Sequence, residues 1–178
     1  MRTFIILMTG LLVAAAMPGS IALAADDDSE TIKADTETIK ACLAAERKSN
    51  RDGRDCIGRI SDPCLKEPGR ESTMSMVSCT SEETTVWDGL LNADYKSLLG
   101  LLEDKAAESV RKAQRAWIAA RDADCSVPDA IYAGGTTASL DSASCMLDRT
   151  AARDIAARHL ARHGAAGRIR ALTPGLSP

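Results

Sequence analysis

The sequence predicts an all-α fold: a small disulfide-stapled helical bundle built around an antiparallel helical hairpin, with an irregular cysteine-rich loop. Three observations point to it. Apolar residues recur at steps of three and four over 73–103, where Trp87, Leu91, Tyr95, Leu98 and Leu102 share one face with Leu90 and Leu99 beside them. No stretch alternates with the period of two that marks a half-buried strand. Six cysteines (Cys42, Cys56, Cys64, Cys79, Cys125 and Cys145) form an even set behind an export leader, and such a set reads as disulfides. The residues leave all fifteen full pairings open. Zinc is the competing use, but there is no CxxC pair and both histidines lie far along the chain from Cys56 and Cys64. No metal and no cofactor is expected.

The elements follow in order. Arg2, the apolar run over 4–16, the Pro18-Gly19 break and the Ala22-Leu23-Ala24 cleavage pattern predict a signal peptide over 1–24. The apolar run is shorter than the roughly 20 residues a spanning helix needs. No cysteine follows the cleavage pattern to take a lipid, so a periplasmic or secreted chain without a membrane span is expected. Cleavage removes one basic residue and no acid, which leaves a net-acidic chain of one domain's length. Over 25–73 the sequence predicts an N-terminal helix and a cysteine-rich extension. Asp26-Asp27-Asp28-Ser29 suits a helix entry. The helix is expected over about 30–48, with Ile32, Ile39 and Leu43 at helical spacing, and Asn50-Arg51-Asp52-Gly53 stops it. Residues 54–73, with Pro63, Pro68, Gly58 and Gly69, predict a loop that cystines must order, because it has little apolar surface to bury.

A helical domain is expected over 74–164. After the 73–103 helix and a break near Asp104, a second helix sets Val110, Ala113, Trp117 and Ala120 on one face. The short connection implies that these two form the antiparallel pair. Cys125 is expected to end the second helix. Val127-Pro128-Asp129 and Gly134-Gly135-Thr136-Thr137, with Tyr132 between them, predict a loop over 126–144 bounded by Cys125 and Cys145. Ser142 or Ser144 then caps a last helix carrying Leu147, Ala151, Ile155 and Leu160, which Gly164 ends; 165–178 is expected to be a flexible tail.

Few residues are candidates for chemistry. His159 and His163 stand four apart, on one helix face, but Leu160-Ala161-Arg162 lies between them instead of a metalloprotease glutamate. They read as cations decorating a helix end, where the dipole favours them. No GxSxG elbow, phosphate loop or dinucleotide motif is present, and no histidine stands near a free nucleophile in sequence. The chain is not expected to be an enzyme. Arg149, Arg153, Arg158, Arg162, Arg168 and Arg170, against Asp148 and Asp154, make a basic last third. They read first as a solvated face with intrahelical pairs and second as a surface for an anionic polymer. Export and net acidity argue against nucleic acid. Gln114, Trp117 and Arg121 share a helix face. Trp117 is expected to enter the core, with Gln114 and Arg121 bonding backbone or a carboxylate, Asp94 or Asp122, at its margin.

At these residues the chain resembles the LprI-like lysozyme-inhibitor family of bacterial envelope proteins. The resemblance rests on Leu91-Asn92-x-x-Tyr95, on Gln114-x-x-Trp117-Ile118-x-x-Arg121-Asp122-x-x-Cys125, on Gly134-Gly135-Thr136, on Cys145 and on Thr150-x-x-Arg153. Cys79, Glu82-Glu83 and Trp87-Asp88 upstream are also similar to the family's entry helix. It covers roughly 74–160, and the Gln-x-x-Trp-x-x-x-Arg-Asp-x-x-Cys run is its specific part. The chain departs from the pattern in carrying Cys42, Cys56 and Cys64 in an extension and in lacking a lipid-anchor cysteine. The resemblance implies an exported helical domain which, in some members, binds and inhibits lysozyme. Asn92, Tyr95, Gln114, Trp117, Arg121, Asp122, Gly134, Gly135 and Arg153 are then expected to serve the structure. Contact with a partner is expected from Asp129, Tyr132 and Asp141 on the cysteine-bounded loop, since recognition usually sits on loops of a rigid scaffold. The alternative is an envelope binding or stress module in which the arginine-rich last helix meets an anionic cell-wall polymer, without lysozyme inhibition.

Overall fold

In the computed structural model, residues 22–172 are described, with side chains over 29–164. Of the expected leader only the backbone of 22–24 falls within them, and of the expected tail only the backbone of 165–172. Among the described residues there are five α-helices and no strand: α1 (Ala22–Lys48), α2 (Ser61–Leu65), α3 (Thr73–Gly100), α4 (Asp104–Ile131) and α5 (Thr136–Leu172). A 3₁₀ turn, Arg54–Cys56, lies between α1 and α2. The stretch expected to be irregular thus contains two short helical pieces. None of the described helices is long and apolar enough to cross a membrane.

Local chemistry sets the ends. Asn50, at φ 56°, closes α1: its N–H reaches the Arg47 carbonyl and the Arg51 N–H reaches the Glu46 carbonyl, the paired bonds of a Schellman stop. Gly53 follows at φ 99°, and a Cβ there would stand 2.7 Å from Leu43 Cδ2, so only glycine fits. The Ser72 hydroxyl caps α3 by accepting the Ser75 N–H. The chain breaks over 101–103, where the sequence predicted it.

The expected pairing is corrected. α5 lies along α3 and α4 packs on α5, while α3 and α4, although consecutive, scarcely touch. The antiparallel pair is α4 with α5, joined by the turn over 132–135 and the Cys125–Cys145 cystine. The reason is where α3's stripe is satisfied: Trp87, Leu90 and Val86 bury against Leu147 and Ala151 of α5 and against Ile39 of α1. The α4 stripe is weak by comparison. Only Ala107 and Cys125 of α4 are buried, and Ala113 and Ala120 are exposed. Ile39 and Leu43 pack as expected, but Ile32 is exposed, because α1 reaches the core only with its second half. Gly164 does not end α5. It keeps helical geometry in contact range of Leu102 Cδ2, and the helix runs on to Leu172.

The three cystines join consecutive cysteines: Cys42–Cys56, Cys64–Cys79 and Cys125–Cys145. The first holds the 3₁₀ turn to α1, the second holds α2 to α3 and the third holds α4 to α5. Loops of this length contribute about 3 kcal/mol each by constraining the unfolded chain.

Glu83 organises the extension. Wholly buried on α3, it accepts Gly58 N–H and Trp87 Nε1–H at Oε1 (2.7 and 2.9 Å). Its Oε2 accepts Ile60 N–H, Ser61 N–H and the Ser61 hydroxyl at 3.1, 2.8 and 2.8 Å. Glu83→Ala would leave these donors unpaired, those of Ser61 and Trp87 buried and those of Gly58 and Ile60 partly so, at about 1–3 kcal/mol for each group that water cannot reach. Urea unfolding with the cystines intact is expected to show a loss of about 3 kcal/mol or more; a loss within experimental error would refute the role.

A second polar contact joins α3 to α5. Arg158 lies 2.7 Å from Asp154 Oδ2 and 2.5 Å from Asp94 Oδ2. Burial pushes the Asp154 carboxyl up to about 7, against the pull of Arg158 and with the push of the Asp94 carboxylate. The folded-state value is raised above the ordinary 3.8, so between about pH 4 and pH 7 the folded chain keeps a proton that the unfolded chain releases. This contribution is full below that window and is lost as pH rises through it. The stability of the wild type relative to Asp154→Asn is therefore expected to fall from pH 4 to pH 7. Thermal unfolding of both chains at fixed ionic strength measures it, and a difference that stays flat or rises sinks the assignment.

Candidate functional site

Two places gather the residues singled out by the sequence: one end of the bundle and the seam between α4 and α5. The bundle end corrects the expected loop. α4 does not stop at Cys125; it passes through Pro128 to Ile131, and α5 begins at Thr136 rather than at Ser142 or Ser144. Pro128 is tolerated because it sits in the last turns of α4, where its missing N–H frees one carbonyl on an exposed part of the helix. Tyr132 N–H bonds the Pro128 carbonyl, Gly134 N–H bonds Asp129 and Gly135 N–H bonds Tyr132. Gly134 holds φ 73°, which meets the turn's need for a left-handed residue, and Ala133 shares that region at φ 49°.

Asp129 and Tyr132 therefore stand one helical turn apart at the exposed end of α4. Asp141 is on the second turn of α5 and is half-buried, so it is a helix residue beside this end rather than a loop residue. The sequence reading missed their apolar company. Val127 is 48% exposed, Ile131 67% and Tyr132 44%, and Met74, on the first turn of α3 at the same end, is 84% exposed. Apolar side chains left in water at the end of a cystine-bridged pair, with acids among them, have the composition of an interface centre with a polar rim.

The seam holds the motif residues. Trp117 does not enter the core; Trp87 does. Trp117 is half-buried, with the Arg121 guanidinium 4.9 Å and the Arg153 guanidinium 5.5 Å from its ring, close enough for cation–π attraction from both helices. Gln114 Oε1 accepts Arg153 Nε–H at 2.8 Å. Arg121 gives two bonds to Asp122 Oδ1 and one to the Thr150 hydroxyl. Asp94, the other carboxylate expected for this group, pairs with Arg158 instead. Burial lowers the Arg153 guanidinium from its usual value, with Tyr95 acting the other way. Tyr95, Gln114 and Arg153 line a cavity of about 70 Å³ where α3, α4 and α5 meet. Asn92 is exposed and bonds only Asp88, so it serves its own helix.

The remaining candidates are not brought together into a reacting group. The His159 and His163 rings lie 4.3 Å apart between centroids and are exposed. They do not decorate a helix end, since α5 continues to Leu172. Among the described residues no three His, Cys, Asp or Glu side chains could hold a metal ion together. Arg149 pairs with Asp124 across the seam at 2.7 Å, so Arg149, Arg153 and Arg158 are engaged within the bundle. The side chains of Arg168 and Arg170 lie outside the described residues.

Residues 64–154, just over half of the chain, match the family model described as lysozyme inhibitor LprI. Neither a curated protein nor a solved structure matches the chain. The match contains the Cys64–Cys79 and Cys125–Cys145 bridges, the Glu83 anchor, the whole of α3 and α4 and every residue of the seam. It starts upstream of 74, so Cys64, expected in the extension, belongs to the matched segment, and only the Cys42–Cys56 bridge lies before it. The chain belongs to the LprI lysozyme-inhibitor family.

Proposed function

We propose that the protein is an exported, non-catalytic binder that inhibits lysozyme by setting the stapled end of the α4–α5 pair against it. The observation that carries this reading is the set of exposed apolar residues Val127, Ile131 and Tyr132, with Asp129 among them, in a chain of an inhibitor family. Aromatic and large apolar groups that lose water on binding supply most of an interface's energy, and polar neighbours set its register. Lysozymes are commonly basic proteins with a carboxylate pair in a cleft. A partner of formal charge −3 is steered toward them, and acids at the contact face raise the association rate. The Cys125–Cys145 bridge and the Arg121–Trp117–Arg153 stack hold the end rigid before contact, which lowers the ordering cost of binding. Three cystines suit an oxidising compartment, in keeping with a periplasmic or secreted address.

The alternative reading, an envelope module that grips anionic polymer with the arginines of α5, is weakened by the engagement of Arg149, Arg153 and Arg158 inside the bundle. The deciding experiment titrates oxidised protein against several lysozymes and reads both binding and muramidase activity. The triple substitution Asp129→Ala, Tyr132→Ala, Asp141→Ala is expected to weaken inhibition by about tenfold or more, mostly through faster dissociation once Tyr132 is lost. Helical circular dichroism and cystine content should not change. Full inhibition by the folded triple variant would end the assignment of this end, and no inhibition by the wild type would end the lysozyme reading itself.

A further inference from the structure

A second site lies away from the bundle end, and residues before and after the matched segment make most of it. Two cavities of about 580 and 570 Å³ share Asn50, Arg51, Asp52, Ile155 and Arg162, and together form one groove between the end of α1, the 49–54 turn and α5. Each has the volume of a small-ligand site. The groove is cationic in a net-acidic chain: Lys40, Arg47, Arg51, Arg54, Arg158 and Arg162 face it, against Asp52 and Asp94.

These cations differ in what they have left to give. Arg51 is bound to the buried Glu46, a contact that raises the arginine and lowers the glutamate from their ordinary values. Arg54 pairs with Asp52 and Arg158 pairs with Asp94 and Asp154. Lys40 pairs with Glu37 along α1. Arg47 and Arg162 make no ion pair among the described residues, and both are exposed. Two unpaired guanidinium groups thus look across a groove whose other cations are fixed in place. Such forks match phosphate oxygens and bind them in pairs of hydrogen bonds.

We propose that this groove binds a soluble chain bearing phosphate groups, held by its two free guanidinium groups, Arg47 and Arg162. A chain of phosphates fits better than a lone carboxylate, because it carries charge enough to engage two separate guanidinium groups. Residues 40–54 and 155–162 lie outside the 64–154 match, so the site belongs to what this chain adds to the family's segment. About twenty residues of α5 separate it from the start of that helix, or about 30 Å at 1.5 Å per residue, so it and the lysozyme contact can be tested separately.

The test is calorimetric titration of the full oxidised chain with tripolyphosphate at low and physiological salt, beside flotation with phosphatidylglycerol vesicles. Tripolyphosphate is expected to bind, more weakly as salt rises. Arg47→Glu with Arg162→Glu should lower the affinity about tenfold or more, and Arg47→Gln with Arg162→Gln should lower it in the same sense if the charge reversal disturbs folding. Lys66→Glu with Lys112→Glu makes the same charge change elsewhere and should leave most of the binding. Three results would overturn the proposal: no tripolyphosphate binding, equal losses in the groove and control pairs, or binding to vesicles alone. Lysozyme inhibition by the groove variants should match the wild type, which keeps failure here distinct from failure of the inhibitor reading.

Discussion

A carboxylate with no access to water organises the N-terminal half of this protein. Glu83 stands on α3 one turn before Trp87 and answers three backbone N–H groups, a serine hydroxyl and that indole. The segment over 57–61 packs Ile57 and Ile60 against the core. Its N–H groups must still find acceptors once they are buried. One side chain meets that need and also fixes the Trp87 ring, around which Ile39, Leu90, Leu147 and Ala151 pack. The Cys42–Cys56 and Cys64–Cys79 bridges flank this point on either side. They limit where the segment can go, while Glu83 selects where it stays.

Much of the architecture was legible in the residues. The α3 stripe, the break near Asp104 and the cystine count follow from periodicity, turn chemistry and compartment, and each is a local matter. What was not legible depends on partners distant in sequence. The spacing of Trp87 and Trp117 is equally helical, yet only Trp87 is enclosed, because α5 and α1 close over α3 while α4 keeps one side open. Val127-Pro128-Asp129 and Gly134-Gly135 resemble loop chemistry, but Pro128 sits where a helix can lose one bond, and of the two glycines Gly134 takes a left-handed conformation while Gly135 does not. Gly164 looked like a stop because glycine often is one; here it takes ordinary helical geometry beside Leu102.

The candidate site was legible in part. Asp129 and Tyr132 lie at an exposed end, as turn chemistry suggested. Their apolar neighbours Ile131 and Val127 could not be recognised, since an apolar residue in a helix reads as core until the packing is known. Arg47 and Arg162 were harder still. Nothing in a sequence relates residues more than a hundred positions apart on different helices, and the groove between them exists only because α1 and α5 both pack on α3 and on the 3₁₀ turn.

The order of the bridges has a consequence for how such a chain matures. Every cystine joins a cysteine to the next one along. A polypeptide threaded through a membrane with its amino end leading would present its thiols to oxidant two by two, each with its proper mate. Early oxidation would then yield native links directly, with little call for an isomerase to undo wrong ones.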